Sequence, residues 1–500
     1  MKTKRWIVCG VGVLLCLLAV WQIRAAARGL EITPLPSTAP PLTIVAPVGA
    51  VQEPRPLVLV GHGFSGSGVI MRGFAFSLAH AGYTVVLWDF EGHGVNPLPL
   101  PTDTRGSALL VNAEAALAEA ERRGLVAPGR TAILGHSMGS GVALDFGLAH
   151  PETAATIAVS PVGRDVTPSL PRNLLFLAGS LEQPFVRNAK ELLAEAGGPG
   201  GDPAAGTARK MIVVPGVEHI SILFASGSHT AAIEWLDATF GPQPGAAAYT
   251  DRRVLWYGFG ALGTLLAAMA LAPLLAERAP DLSPETGAET EPDRPRSLLW
   301  RLAALLGGTL GAALLLWLVG ALGIELRNLL GLIVGGYLMV WFCVAGLVGL
   351  LLLRAQLVLP SRRAVLGGVL AFAALWLGEG LFGQFVWLHW LLIPQRLLLW
   401  PLGVVLLLPW FLAVGQAARD TSVLGWFGWC LAHIVVLVAG IGLAIRLDPA
   451  LGFLGLILPM LPLIIGLQAL VTVSYRKVWP FAVSGALFMS WLFLAVFPLQ

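Results

Sequence analysis

Charge is what this sequence has least of. Only 12% of its 500 residues are Asp, Glu, Lys or Arg, against about 25% in ordinary soluble proteins. That shortage excludes a wholly soluble protein, a disordered chain and a basic nucleic-acid binder. The net charge of +3 is too small to argue for a polyanionic partner. Lysine is nearly missing, 5 residues against 27 arginines, a bias that points to a GC-rich bacterial genome. Cysteine is scarce as well: Cys9, Cys16, Cys343 and Cys430 all lie inside apolar runs. The polar stretch between them therefore has no disulfide framework and no cysteine metal site. A domain of about 220 residues buries enough core to stand without either.

What charge there is lies unevenly. Residues 25–250 hold 13 basic and 18 acidic side chains, and the rest of the chain holds 19 and 11. The first is an ordinary, slightly acidic soluble stretch. The second is apolar with basic punctuation, the pattern of a membrane domain. Lys2, Lys4 and Arg5 precede a mostly apolar run from Trp6 to Trp21, which is a signal peptide or a signal anchor. Residues 1–27 are assigned to it, and the domain that follows, 28–250, is exported in either case. Beyond that, apolar runs of membrane-spanning length cover about 254–276, 302–323, 329–353, 364–388, 397–415, 423–445, 449–473 and 478–498. These define a membrane domain over 251–500 with about eight transmembrane helices, all α, and a Pro- and acid-rich cytoplasmic loop near 279–297. Threading the spans alternately from a cytoplasmic N-terminus puts 13 basic residues on the inner side and six on the outer. The positive-inside rule favours that orientation. Thirteen of the 17 tryptophans lie at or after Trp256, many near span ends as interfacial anchors do. The expectation is an integral protein of a bacterial inner or plasma membrane, with the 28–250 domain on the extracytoplasmic side.

Within 40–240, β-branched and aliphatic runs alternate with helical stretches. The runs are Leu57–Val60, Thr84–Trp88, Thr131–Leu134, Thr156–Val159, Leu174–Leu177 and Met211–Val214, and the helices fall near 68–81, 107–123, 138–149, 185–196 and 229–239. Such alternation predicts a mostly parallel sheet with helices on both faces. Ligands of such sheets bind beyond the carboxyl ends of the strands, so the residues just after each strand matter most. After the third run comes Gly135-His136-Ser137-Met138-Gly139. This is G-x-S-x-G between strand and helix, where Ser137 projects as a nucleophile and the Met138 N–H faces a developing oxyanion. After the first run comes Gly61-His62-Gly63-Phe64, which makes the Phe64 N–H the second oxyanion donor. After the last run comes Pro215-Gly216-Val217-Glu218-His219, with His219 placed to act as base. The acid that orients His219 is Glu182, in Ala178-Gly179-Ser180-Leu181-Glu182, or Asp165 after the preceding strand. Glu218 adjoins His219 too closely to orient its ring. His136 sits inside the elbow and is expected to point away from the base, while His62, His80, His93, His150 and His229 are expected to be structural.

These pieces carry a resemblance. GHGFSGS at 61–67, DFEGHG at 89–94, GHSMGSG at 135–141, LAGSLE at 177–182 and PGVEHISIL at 215–223 make the stretch from about 55 to 240 look like the α/β-hydrolase superfamily. The resemblance implies a serine nucleophile, a backbone oxyanion hole and a histidine base, with no metal or organic cofactor. It departs from the family at Glu182, where Asp is commoner, and at Glu91, where Arg is common. The expected activity is a membrane-bound serine hydrolase that cleaves a lipid-like or cell-envelope ester through an acyl-enzyme. An outer-face acyltransferase using the same triad, or a transporter or sensor whose hydrolase-like domain only binds ligand, are the alternatives. About a dozen residues separate Val159 from Leu174, too few for a large lid, so loop 96–101 and the membrane surface are left to shape the pocket. In the membrane half, Glu379 lies inside a predicted span, with His433 and Gln384 as candidate partners. A carboxylate there marks either a functional polar point or an interhelical hydrogen bond. His389 and Arg396 are expected as interfacial anchors.

Overall fold

The computed structural model describes residues 2–49, 55–101, 107–163, 165–277, 297–473 and 476–500. The cytoplasmic loop expected near 279–297 lies outside the described residues except for Ser297. The chain forms two compact units. One gathers Val20–Tyr257, Gly383–Leu391 and Pro498–Gln500, and the other gathers Met1–Ala19, Gly258–Phe382 and Leu392–Phe497.

The first unit is built on an eight-stranded sheet. Its strands are β1 (Leu30–Leu35), β2 (Leu42–Pro47), β3 (Leu57–Gly61), β4 (Thr84–Trp88), β5 (Thr131–His136), β6 (Ala155–Val159), β7 (Leu174–Gly179) and β8 (Arg209–Val214). Their order is β1-β2-β4-β3-β5-β6-β7-β8. β4 and β3, and every pair from β3 to β8, are parallel, while β1–β2 and β2–β4 are antiparallel. All six expected strands are present. β1 and β2 were not anticipated, because Pro34, Pro36, Pro40 and Pro41 break their sequence pattern. Proline is tolerated in such peripheral, antiparallel positions.

Helices α2 (Arg72–His80), α3 (Ser107–Arg122), α4 (Met138–Ala149), α5 (Gln183–Glu195) and α6 (Ser226–Phe240) connect or follow the parallel strands. Side chains of successive strand residues point to opposite faces, and the core divides accordingly. Val58, Val60, Val85, Leu87, Ala132 and Leu134 pack with Phe74 and Leu78 of α2 and Leu236 of α6. Leu57, Leu59, Val86, Trp88 and Ile133 pack with Ala113 and Ala116 of α3 and Phe146 of α4. Both faces are dry, which is why these strands are continuous apolar runs. This is the α/β-hydrolase architecture, and it brings the carboxyl ends of β3, β5, β7 and β8 to one edge.

The second unit is helical. Among the described residues of the whole chain, nine helices are long and apolar enough to cross a membrane: Lys4–Ala25, Arg253–Leu271, Leu298–Ala321, Gly335–Leu353, Arg362–Val386, Pro394–Ala417, Val423–Leu447, Pro449–Thr472 and Val478–Val496. The fourth starts at Gly335 rather than near 329, because Leu330, Gly331 and Val334 hold positive φ angles that no α-helix accommodates. The fifth contains a π-helical turn at Trp376–Leu381, which holds Glu379. Neither expected partner of Glu379 is idle: His433 Nε2 accepts from the Trp410 indole at 2.8 Å, and the Gln384 amide binds the backbone of Trp390 and Leu391. Arg396 is not an exposed interfacial anchor. It is 2% exposed, and its guanidinium donates to the carbonyls of Leu494 and Phe497 at the end of the last helix. Cationic donors favour that end of a helix because its last carbonyls lack intrahelical partners.

The N-terminal helix, α1 (Lys2–Ala25), is bound into this unit by close backbone contact with α7 (Arg253–Glu277). A Cβ at Gly12 would lie 2.5 Å from the Gly263 carbonyl oxygen, and one at Gly263 would lie 2.5 Å from that of Gly12. Cys16 Sγ reaches the Gly260 carbonyl and the Thr264 hydroxyl at 3.5 Å beside this crossing. Small residues let apolar helices approach in this way and gain dispersion contact. Replacing Gly12 with Leu forces the helices apart at a cost of about 1–3 kcal/mol. Gly12→Leu should therefore lower the thermal midpoint of the full chain in detergent, whereas Gly10→Leu, whose Cβ would meet nothing within 4 Å, should not. Equal midpoints for the two variants would contradict the crossing.

Candidate active site

Ser137 stands between β5 and α4 at φ 52°, ψ −117°, a conformation L-residues avoid. The flanking sequence makes the turn sterically feasible. A Cβ at Gly135 would lie 1.9 Å from the Gly139 carbonyl oxygen, and one at Gly139 would lie 2.6 Å from the carbonyl oxygens of Gly61 and His62. Only glycine fits either place. The turn is tied down at its base: Ser137 N–H donates to the Val159 carbonyl at 2.9 Å, and the Ser140 hydroxyl donates to the Ser137 carbonyl at 2.5 Å.

Ser137 Oγ lies 3.1 Å from His219 Nε2, and His219 Nδ1 lies 2.8 Å from Glu182 Oε2. His219 follows β8 and Glu182 follows β7, so strands far apart in sequence deliver three side chains to one edge. Glu182 and His219 are 5% and 3% exposed. The carboxylate is satisfied on its other oxygen, where Glu182 Oε1 accepts from the Ser160 hydroxyl at 2.8 Å and the Gly179 N–H at 2.6 Å. With an acceptor facing Nδ1, the imidazole places its proton there and leaves the Nε2 lone pair toward Ser137. Asp165, the other acid considered from the sequence, is exposed. Glu218 accepts from the N–H groups of Ile220 and Ser221 and so caps its own turn.

Two features around His219 were not anticipated. The Phe185 ring stacks on it with centroids 4.3 Å apart and planes 26° from parallel. His136 does not point away: its ring lies 4.7 Å from that of His219, and its Nε2 donates to the His219 carbonyl at 3.0 Å. Ser160 is the third residue missed, although its place just after β6 is the signal that singled out the others.

Met138 opens α4, so its N–H has no intrahelical acceptor. The Gly61–Phe64 turn passes close by, since a Cβ at Gly63 would lie 3.1 Å from that of Ser137. Behind this turn, His62 Nε2 accepts from the Phe90 N–H at 3.1 Å, and its Nδ1 donates to the Gly63 carbonyl at 2.8 Å. The other histidines expected to be structural bond away from the Ser137 site: His80 to the Ala26 carbonyl, His93 to the Glu91 carbonyl, His150 to Glu114 and Glu152, and His229 to Ser77 and the Leu223 carbonyl.

Residues 52–200 match the family model described as Serine aminopeptidase, S33. No curated protein sequence matches the chain. Similar solved structures include a CIB-like hydrolase from Thermoplasma acidophilum, 19% identical, with 41% of this chain and 97% of that chain covered and a TM-score of 0.33. An esterase/lipase from an uncultured bacterium is 17% identical over 45% of this chain and 90% of that chain, with a TM-score of 0.32. A hormone-sensitive lipase from a metagenome library is 18% identical over 46% of this chain and 96% of that chain, with a TM-score of 0.32.

Burial gives this edge an acid liability. It pushes the His136 ring well below the usual histidine range, and the neighbouring His219 adds to the shift. Burial likewise lowers His62, against the opposing pull of Asp89, and lowers His229. As pH falls through about 6.5 the unfolded chain protonates these rings while the folded domain resists. The unfolded state then binds more protons, so stability is full above that pH and is lost below it. The thermal midpoint of the hydrolase unit should fall between pH 7 and pH 5, and a His136→Gln variant should show a shallower fall. A midpoint that stays flat over that range would contradict the burial of neutral rings.

Proposed function

We propose that this chain is a membrane-bound serine hydrolase that cleaves an ester of lipid-like or cell-envelope type. The observation that carries the reading is the continuous hydrogen-bonded path from Ser137 Oγ through His219 to Glu182, on a serine held at positive φ. Ser137 Oγ attacks the substrate carbonyl as His219 Nε2 takes its proton. The Nδ1–H bond to Glu182 keeps the imidazole oriented and stabilises the imidazolium that forms. The N–H groups of Phe64 and Met138 receive the oxyanion, and each such donor lowers the barrier by about 2.7–4 kcal/mol. The protonated His219 gives its proton to the departing alcohol, which leaves an acyl group on Ser137. Water activated by the same ring then releases the acid.

The hydrolase unit is flanked in sequence by apolar helices, Lys4–Ala25 before it and Arg253–Leu271 after it, and this double tether supports a substrate drawn from the membrane or envelope. Alternate threading from a cytoplasmic N-terminus places Val20–Tyr257, Gly383–Leu391 and Pro498–Gln500 on the same, extracytoplasmic side. Those are the three stretches that cluster in the hydrolase unit, and their common side supports the alternate threading, while the orientation rests on the basic-residue count. The matched family description favours a second reading, in which the acyl group comes from a peptide amide.

Labelling of the full chain in detergent by a fluorophosphonate probe tests the nucleophile. Ser137→Ala should abolish labelling and ester hydrolysis, and undiminished labelling would sink the assignment. Glu182→Ala should lower kcat by about 10³–10⁴, and Asp165→Ala should leave it near wild type. A chain-length series of p-nitrophenyl esters run beside aminoacyl p-nitroanilides separates the ester from the peptide reading.

A further inference from the structure

The segment that follows β4 wraps around one carboxylate. Asp89 accepts from the N–H groups of Gly68 at 2.6 Å and Val95 at 2.9 Å, and the Asn96 side-chain amide donates to the Asp89 carbonyl at 3.0 Å. Through Gly68, and through the Phe90 N–H on His62, this segment forms the backing of the turn that presents the Phe64 N–H. The His93 ring also packs edge-on against His62 and Phe64, with centroids 5.1 and 5.8 Å away.

The outer part of the segment holds itself only in part, through the Gly92 N–H, which donates to the Leu98 carbonyl at 2.5 Å. In Asn96-Pro97-Leu98-Pro99-Leu100-Pro101 the three prolines lack N–H groups. Leu98 N–H is satisfied within the loop by Asn96 Oδ1 at 3.2 Å. Leu100 N–H is satisfied from the other end of the sequence: it donates to the Leu499 carbonyl at 2.8 Å, and Leu499 N–H donates to the Gly92 carbonyl at 2.9 Å. Leu499 thus bridges Gly92 and Leu100, and the residue is 7% exposed. The fit at Gly92 is close, since a Cβ there would lie 2.6 Å from the Leu499 carbonyl oxygen. Residues 498–500 belong by their contacts to the hydrolase unit and not to the helical one that precedes them in sequence.

We infer that Leu499 is a positioning residue for the oxyanion-donating turn, acting through the 89–100 segment. The inference rests on the serine-hydrolase reading above. Without the bridge, Leu100 N–H and the Gly92 carbonyl turn to water, and the Gly92–Leu98 bond is left to close the segment without the outer pair. The backing of Phe64 then loosens, and an oxyanion donor displaced by a fraction of an ångström loses much of its value. Ground-state binding of a small ester depends little on that donor, so the loss falls on kcat.

The test uses the full chain in detergent. Three variants are compared with wild type: Leu499→Pro, which removes the N–H; Leu499→Ile, which keeps both backbone groups and an apolar side chain; and a chain ending at Phe497. Measurements are kcat and KM on a short p-nitrophenyl ester, the thermal midpoint, and amide hydrogen exchange over 92–100. Leu499→Pro and the shortened chain should lose about tenfold or more in kcat with KM nearly unchanged, and exchange at Leu100 should accelerate. Leu499→Ile should restore wild-type values. Wild-type kcat in Leu499→Pro and in the shortened chain would overturn the inference, as would a loss that merely tracks the unfolded fraction. A wild-type chain that hydrolyses no ester and takes no label at Ser137 defeats the hydrolase reading instead. Exchange at Leu100 then decides the bridge alone, with unchanged protection overturning it and lost protection upholding it.

Discussion

Everything at the site depends on one residue being held in backbone space it would not choose. A non-glycine residue at φ 52°, ψ −117° carries strain of about 1–3 kcal/mol. The neighbours over-determine it. β5 ends in the middle of a parallel sheet, α4 starts at once, and the hydrogen bonds of Ser137 N–H to Val159 and of its carbonyl to Ser140 leave no relaxed alternative. The two glycines of the elbow are the steric condition for this, because the carbonyl of one occupies the place where a side chain on the other would be. Relaxing the strain would tilt Ser137 Oγ away from His219 and break the path to Glu182.

The surroundings of His219 are a second, softer constraint. Its ring is fixed by the carboxylate at one nitrogen, stacked by Phe185 on a face and tethered through its own backbone carbonyl by His136. Burial pushes the His136 ring well below the usual histidine range, against the pull of this same bond. Glu182 in turn is held by Ser160 and the Gly179 N–H, so the orienting carboxylate is itself oriented. A buried carboxylate with three donors is well satisfied, whereas the same group with one would pull its neighbours out of place.

The apolar half follows different rules. With little water to exclude, contact between its helices comes from close approach, as at Gly12 and Gly263. Several of its polar groups find partners: Arg396 takes the carbonyls at the end of the last helix, Trp410 donates to His433, and the Gln468 side-chain amide donates to the Phe481 carbonyl at 3.1 Å. Each bond satisfies a group that lipid would leave unsatisfied. The π turn around Glu379 interrupts the regular winding of one of these helices.

Local pattern was enough for much of this. Runs such as Leu57–Val60 and Thr131–Leu134 are continuous because both faces of their strands are buried, and Ser137 and His219 stand out because they come just after such runs. Spans of about 20 apolar residues are legible for the same reason, since length and composition alone carry the signal. The tertiary structure decided what depends on contact between distant segments. Glu182 rather than Asp165 faces His219, because β7 lies between β6 and β8 and the loop after β6 turns out to solvent. His136 turned inward to a carbonyl 83 positions away, Arg396 was buried by the end of another helix, and Leu499 met a proline-rich loop nearly four hundred residues earlier. No periodicity encodes such meetings, because hydrogen bonds between remote backbones leave no trace in the residue types that make them.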